Sequence, residues 1–115
     1  MLKIVKEEKL CKVELFQVNR LNTLFSELVQ QQLKELVEEP GNSVLFNLEG
    51  IRFIDTSGFD VLIDIAQLAK KNGSDFHLCN VSDDVKELIL LLDLEEQFNY
   101  CSCANSERKI LAMLD

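Results

Sequence analysis

Residues 51–62 read IRFIDTSGFDVL and contain the most abrupt change from apolar to polar residues in this chain of 115 residues. An apolar run arrives, the polar quartet Asp55-Thr56-Ser57-Gly58 interrupts it, and a second apolar run with helical spacing follows. This pattern predicts a strand or loop that leads into the N-terminus of a helix. Free backbone N–H groups and partial positive charge at such an N-terminus accommodate anions, including phosphate.

Composition limits the classes of function that the chain can have. We expect one domain over residues 1–115, since 47% hydrophobic residues can build a core. The formal net charge of -8 argues against nucleic acid and anionic membranes as partners. No apolar run is long enough to span a membrane, and charges break up the first ten residues too early for a secretory signal. We therefore expect a cytoplasmic protein without membrane insertion.

The cysteines and the only histidine give no sign of a metal or catalytic site. In a protein without an export signal we expect the cysteines to stay reduced. A zinc site is not expected, because only two cysteines lie close together in sequence and His77 lies in another segment. No Cys–His pair, Ser–His pair or phosphate-binding glycine loop is marked, so we expect no catalysis and no cofactor, with His77 at the surface. The four cysteines are Cys11, Cys79, Cys101 and Cys103.

Hydrophobic periodicity alternates between strand and helix along the chain. Helix-length connections favour parallel strands, so the sequence predicts an α/β or mixed α+β fold with helices packed on a sheet. A hairpin turn is expected at residues 7–9, and Asn22, Thr23 or Ser26 can cap the first helix. The predicted strands are 2–5, 10–16, 43–48, 75–79 and 98–100. The predicted helices begin at 22 or 23, at 57, after Ser82 and at 106, and the last ends at Leu114.

Two interpretations of the polar quartet remain open. In the first, Ser57 is a helix cap, since Ser57 and Asp60 have capping-box spacing, and Thr56 or Asp55 could also cap. In the second, Ser57 is a phosphoacceptor at an exposed helix start, and Gly58 leaves room for another protein's active site. Phosphorylation would add about -1.5 to -2 charges to a docking surface. Both interpretations can hold for one serine.

Two features beside the quartet each have a second, simpler explanation. Asp55, Asp60 and Asp64 could in principle bind a hard cation, but acids near a helix start more simply stabilise its dipole, so no metal site is expected. Phe59 follows the turn and either lies exposed beside it or packs in the core. We assign Phe59 to the exposed surface.

The stretch SVLFNLEGIRFIDTSGFDVLIDIAQLAKKNG (43–73) resembles the central signature of the STAS domain of anti-sigma factor antagonists, shared with sulfate-transporter tails. The resemblance implies a mixed sheet of four or five strands with helices mainly on one side, and no catalysis by the protein itself. It implies that the unmodified form binds an anti-sigma factor of the serine-kinase type. That kinase would phosphorylate Ser57, and a phosphatase would reverse the modification. Asp55, Thr56 and Gly58 match the rest of the motif.

Several residues depart from the family pattern. Asn19 and Asn22 stand where the family often has Gly and Asp before the first helix, and Asn47 replaces an Asp in the central strand. Phe59 and Asp60 replace Leu-Gly after the motif, and Asp60 would repel an incoming phosphate. We assign these five residues to the partner-binding surface. The alternative is a non-switching STAS subunit of a transporter ATPase or sensory complex. A monomer or weak dimer is expected.

Overall fold

The computed structural model describes residues 2–101 of the chain. In chain order the strands are β1 (Leu2–Glu7), β2 (Leu10–Leu15), β3 (Arg20–Leu21), β4 (Ser43–Asn47), β5 (Phe53–Ile54), β6 (Asp75–Cys79) and β7 (Asn99–Cys101). The helices are α1 (Thr23–Val37), α2 (Thr56–Asn72) and α3 (Asp83–Leu91), and a short 3₁₀ turn covers Glu95–Gln97. The predicted helix at 106–114 lies outside the described residues.

Five strands form one mixed sheet in the order β1-β2-β4-β6-β7. β1 is antiparallel to β2, and the other neighbouring pairs are parallel. The chain crosses through α1, α2 and α3 in turn while the strand order advances in one direction. Right-handed crossovers of this kind place all three helices on the same face of the sheet. The predicted fold class, a mixed α/β fold with a sheet of four or five strands, is confirmed.

The two faces of the sheet differ in burial. Strand β2 alternates between buried and half-buried positions, as a half-buried strand should. Its buried side lies in register with the buried sides of β4 and β6, and this shared face packs against the helices. The core residues on this face are Cys11, Val13, Leu15, Val44, Phe46, Phe76 and Leu78. The opposite face carries half-buried side chains that include Lys12, Leu45 and His77.

The β1–β2 hairpin turns more tightly than expected. Glu7 already pairs with Leu10, so only Glu8 and Lys9 connect the strands. Glu8 adopts φ 55°, the left-handed conformation that such two-residue connections require. β1 therefore extends two residues beyond the predicted Val5.

A second, two-stranded sheet was not predicted. β3 and β5 pair in parallel, with Arg20 opposite Phe53 and Leu21 opposite Ile54. Backbone bonds extend the pairing on both sides, because the Arg52 amide donates to the Asn19 carbonyl and the Asp55 amide donates to the Leu21 carbonyl. This small sheet brings the segment before α1 against the segment before α2. Strands of two residues carry no readable periodicity in the sequence.

The helix ends follow the expected chemistry in most places. Gly73 ends α2 in the left-handed conformation at φ 74°. The Ser82 hydroxyl caps α3 by accepting from the Val85 amide at 3.2 Å, which confirms that predicted cap. The helix ends at Leu91, and Leu92 is 52% exposed beyond it.

Two expectations about cysteine and histidine are also wrong. Cys79 and Cys101 form a disulfide, although all four cysteines were expected to stay reduced. They face each other because β6 and β7 are neighbours in register, which a separation of 22 residues in sequence does not reveal. His77 is half-buried rather than on the surface, since Leu45 and Asn99 flank it on the adjacent strands. Cys11 is buried and free, and Cys103 lies outside the described residues.

None of the helices within residues 2–101 combines the length and the apolar character needed to cross a membrane.

Candidate functional site

The polar quartet forms the start of α2, directly after β5. Asp55 occupies the N-cap position with extended backbone angles, φ -87° and ψ -179°. Its Oδ1 accepts a hydrogen bond from the Gly58 amide at 2.9 Å. Asp55 therefore satisfies one of the free N–H groups at the N-terminus of α2. Of the three caps left open by the sequence, the structure selects Asp55.

The other oxygen of the same carboxylate reaches the first helix. Asp55 Oδ2 accepts from the Thr23 amide at 3.2 Å and lies 3.3 Å from the donating Thr23 hydroxyl. Thr23 is the first residue of α1, so one carboxylate bonds to the N-termini of two helices. Both termini carry partial positive charge, and the carboxylate lies where it favours both of them. We call Asp55, Thr23 and Ser57 the α1/α2 junction.

Ser57 is the second residue of α2 and is half-buried. Its hydroxyl oxygen lies 3.2 Å from the Thr23 hydroxyl, whose single proton it shares as acceptor with Asp55 Oδ2. The predicted capping box of Ser57 and Asp60 is wrong, because Asp55 already holds the amide of the first turn. Ser57 Oγ is thus bonded to another hydroxyl rather than to the helix backbone. Thr56, the residue before it, is exposed.

The first turn of α2 contains no acidic residue, whereas Lys70 and Lys71 lie in its last turn. The positive end of the helix dipole is therefore balanced by Asp55 alone, from outside the helix. A negative group attached to Ser57 would lie within this favourable field. The same group would also lie close to the Asp55 carboxylate, since both contact the Thr23 hydroxyl. A negative group on Ser57 would therefore be stabilised by the helix dipole and repelled by the Asp55 carboxylate.

Gly58 has a different role from the one expected. It is buried, and a Cβ built on it would lie 2.7 Å from Ile54 Cγ2 and 2.9 Å from the Leu21 carbonyl oxygen. The missing side chain allows α2 to pack directly on the small β3–β5 sheet. The expectation that Gly58 clears space for an approaching enzyme is wrong. The position that a side chain would occupy faces the core and is filled by Ile54 and Leu21.

Phe59 does not belong to an exposed contact surface. It is only 2% exposed and packs in the hydrophobic core, so its assignment to the partner-binding surface is wrong. The helical turn that exposes Thr56 and Asp60 directs the intervening Phe59 inward. Asp60 is exposed one turn after the start of the helix, and it remains a predicted partner contact.

The three asparagines are distributed over two local networks. The Asn22 carbonyl accepts from the Phe25 and Ser26 amides in the first turn of α1, beside Thr23. Asn19 is exposed three residues earlier, where its carbonyl supports the small sheet. Asn47 closes the turn after β4, because its Oδ1 accepts from the Glu49 amide at 2.9 Å and from Asn80 Nδ2 at 3.1 Å. Their roles in partner binding stay predictions.

Thr23 is the site residue that sequence reasoning missed. It was considered only as a cap for its own helix, since 32 residues separate it from Asp55 in sequence. The contact depends on the parallel register of β3 and β5, which places Leu21 opposite Ile54. No local signal in the sequence marks that register. Within residues 2–101 no group of three or more His, Cys, Asp or Glu residues is arranged to hold a metal ion.

The sequence profile of the STAS domain matches residues 11–109, which is most of the chain. The chain belongs to the STAS domain family. The resemblance noted from the motif and its flanking elements is thereby confirmed. A search of curated proteins finds no match.

Solved structures with the same fold include several proteins described as anti-sigma factor antagonists. A STAS domain protein of that description from Planctomyces limnophilus has a TM-score of 0.77 at 21% identity, covering 99% of this chain and 98% of its own. SpoIIAA in its unphosphorylated form has a TM-score of 0.74 at 13% identity, covering 97% of each chain. At these identities the similarity shows the fold.

The same STAS fold also occurs in a transporter family. A sulfate transporter family protein from Wolinella succinogenes has a TM-score of 0.64 at 18% identity, covering 95% of this chain and 92% of its own. The fold therefore occurs in proteins with different functions. The function of this chain has to be argued from the residues of its site rather than from its fold.

Proposed function

We propose that this STAS domain is an anti-sigma factor antagonist that acts by partner switching. In its unmodified form it binds an anti-sigma factor of the serine-kinase type and so regulates transcription. Phosphorylation of Ser57 by that kinase ends the binding, and a phosphatase restores it. The domain itself performs no catalysis and needs no cofactor.

The observation that carries the proposal is the bonding of Ser57 at the α1/α2 junction. Asp55 performs the capping, so the Ser57 hydroxyl is not committed to the helix backbone. A serine whose hydroxyl were the cap would lose that bond on modification, and the helix start would weaken. Here the modification costs only the bond from the Thr23 hydroxyl. The scaffold can therefore accept and lose a phosphoryl group without unfolding.

The effect of the modification follows from its charge. A phosphoserine carries about -1.5 to -2 charges at neutral pH. The Asp55 carboxylate lies beside it, and exposed Asp60 lies one turn further along α2. A partner docked against the neutral turn would then face a concentrated negative patch, and unfavourable charge at an interface costs several kcal/mol. Binding is lost without any large movement of the protein.

The fold of SpoIIAA supports this choice among the functions of the family. Its structures are described as an anti-sigma factor antagonist in unphosphorylated form and as a Bacillus cell fate determinant in phosphorylated form. The phosphorylated form has a TM-score of 0.70 at 12% identity, covering 96% of this chain and 99% of its own. We extend the same kind of switch to this chain, as one cytoplasmic domain over residues 1–115 that is a monomer or weak dimer.

The direct test is binding to purified histidine-kinase-like anti-sigma factors from the same genome. The unmodified protein and Ser57→Ala should bind one of them with similar affinity. Ser57→Asp should bind at least about tenfold more weakly, which corresponds to 1.4 kcal/mol. Thr56→Asp is the matched control, because it adds the same charge one residue away on the exposed side. Equal binding by all four proteins would contradict the switch.

A second function is supported by Asp60 and by the fold. An exposed carboxylate one turn from Ser57 repels a phosphate donor, which favours a domain that binds its partner constitutively. The sulfate transporter family protein has the same fold. In that case the chain would be a non-switching subunit of a transporter ATPase or a sensory complex. Capture of such an ATPase, with affinity indifferent to Ser57→Asp, would favour this alternative.

A further inference from the structure

The side chain of Thr23 is the part of the α1/α2 junction to which the proposed switch gives no role. Thr23 is exposed and begins α1, so it does not belong to the helix that carries the phosphoacceptor. Its Oγ1 nevertheless lies 3.2 Å from Ser57 Oγ and 3.3 Å from Asp55 Oδ2. A hydroxyl from one helix thus contacts both the cap and the candidate phosphoacceptor of the other.

Hydrogen bonds other than those of its hydroxyl hold Thr23 in this place. The Thr23 amide donates to Asp55 Oδ2 at 3.2 Å, and the Asp55 amide donates to the Leu21 carbonyl at 3.1 Å. The parallel register of β3 and β5 sets Leu21 opposite Ile54. Replacing the Thr23 hydroxyl therefore leaves the starts of α1 and α2 in the same relation to each other.

The Ser57 side chain has few constraints apart from this contact. Asp55 accepts from the Gly58 amide, so the Ser57 hydroxyl is not needed as a cap. Among residues 2–101 the Thr23 hydroxyl is the hydrogen-bond partner of Ser57 Oγ. A serine χ1 has three staggered wells, and a side chain without a partner distributes among those that the helix allows. The Thr23 contact selects the well in which Oγ lies toward α1.

The direction of Ser57 Oγ matters for phosphoryl transfer. The oxygen forms a bond to the γ-phosphorus of ATP, in line with the bridging oxygen that leaves. The bond to that bridging oxygen breaks, ADP leaves with the electron pair, and the hydroxyl proton passes to a base of the kinase. Misplacing a reacting atom slows such a step even when binding is unaffected.

We propose that Thr23 is a positioning residue for the phosphorylation of Ser57. Its hydroxyl holds Ser57 Oγ in the rotamer that presents the oxygen to the phosphate donor, and it takes up no proton itself. This role rests on the proposed switch, since it concerns the same modification. It means that the phosphorylation site is assembled from two helices, whereas the polar quartet belongs to α2 alone.

The rotamer of Ser57 can be measured without a kinase. Three-bond couplings between its α and β protons report how χ1 is distributed among the staggered wells. The wild type and Thr23→Ser both keep the hydroxyl and should show one dominant well. Thr23→Val keeps the branched shape without the hydroxyl, so its couplings should approach an average over wells. An averaged χ1 in the wild type, or an unchanged χ1 in Thr23→Val, would overturn the proposal.

Single-turnover phosphorylation, with the anti-sigma factor kinase in excess over the protein, measures the consequence for the transfer step. Thr23→Val should transfer phosphate about three- to tenfold more slowly at saturating kinase, because fewer molecules have Oγ in place. The kinase concentration that gives half the maximal rate should stay within about twofold of the wild-type value, since docking is unchanged. Thr23→Ser should recover the wild-type rate.

Different outcomes separate a failure of positioning from a failure of the switch. A wild type that binds the kinase without being phosphorylated on Ser57 would contradict the switch, and the role of Thr23 would fall with it. Equal transfer rates in the wild type and Thr23→Val would contradict the positioning role alone. Slow transfer in Thr23→Ser as well as Thr23→Val would also contradict it, because the hydroxyl would then not be the group that matters.

Discussion

The starts of α2 and α3 both follow strands, yet their polar residues are arranged in opposite ways. At α3 the Ser82 hydroxyl is the cap, and it also donates to the Ile51 carbonyl at 3.0 Å. Two acids, Asp83 and Asp84, lie in the first turn and complement the dipole. At α2 the cap is a carboxylate outside the helix, and the first turn has no acid. The Ser57 side chain has the Thr23 hydroxyl as its hydrogen-bond partner among residues 2–101.

The difference shows that Ser82 caps its own helix and that Ser57 does not. Every favourable partner of Ser82 belongs to the protein backbone, so modifying it would remove the cap of α3. The proposed modification of Ser57 would leave the bond between Asp55 and the Gly58 amide in place. The first turn of α2 also lacks the acidic residues that the first turn of α3 contains. The following predictions test this comparison, beginning with the largest expected effect.

Gly58→Ala should destabilise the protein by about 2–3 kcal/mol, as overpacking of a tight core does. The added Cβ would meet the Leu21 carbonyl at 2.9 Å, and backbone cannot rotate away as a side chain can. Denaturant unfolding monitored by circular dichroism measures the change. Gly41→Ala is the control, because it has open space and only its positive φ is unfavourable. A smaller loss for Gly58→Ala than for Gly41→Ala would contradict the packing role.

Asp55→Ala should destabilise by about 2 kcal/mol, since it removes the α2 cap and a charged acceptor for Thr23. Asp55→Asn keeps one acceptor oxygen, so it should cost less than half as much. The same denaturant midpoints give both values. If the two variants are equally stable, the carboxylate does not connect the two helices as described.

Ser82→Ala should cost about 1 kcal/mol of unfolding free energy, the usual penalty for losing an N-cap. Ser57→Ala should change stability by less than about 0.5 kcal/mol, because Ser57 caps no helix and the Thr23 hydroxyl keeps Asp55 Oδ2 as an acceptor. Thermal melts of the pair at one pH provide the comparison. A loss for Ser57→Ala as large as that for Ser82→Ala would show that Ser57 is a structural serine.

Asp84→Asn should have the smallest effect, below about 0.5 kcal/mol. Asp84 forms a salt bridge with Arg52 at 3.2 Å, but both side chains are exposed and such pairs are weak. Salt should reduce the difference from wild type further. Chemical denaturation at high salt measures the difference in unfolding free energy between Asp84→Asn and the wild type. If that difference exceeds the loss for Ser82→Ala, charge at the start of α3 matters more than its cap.

The sequence was sufficient to predict the helices and strands that have a regular hydrophobic periodicity. The three helices, the five strands of the main sheet and the Ser82 cap were all predictable from spacing and cap chemistry. The motif around Ser57 was also recognisable, because its order of strand, quartet and helix is specific to the family. These features depend on neighbours that are close in sequence.

The features that were missed all depend on contacts distant in sequence. Thr23 joins the site through the register of two strands of two residues each, and Cys79 meets Cys101 across neighbouring strands. Gly58 and Phe59 were misjudged because the direction in which α2 packs decides which side faces the core. Neither the strand register nor the packing direction of α2 can be read from residues that are close in sequence.

The central claim is that Ser57 is an available hydroxyl that a kinase modifies. The most direct measurement is phosphosite mapping by mass spectrometry after incubation with the anti-sigma factor kinase that binds the protein and with ATP. The account predicts one phosphate on Ser57, none on Thr56 or Thr23, and none on any site in Ser57→Ala. Unmodified Ser57 with phosphate elsewhere, or no phosphate at all in the wild type, would contradict it.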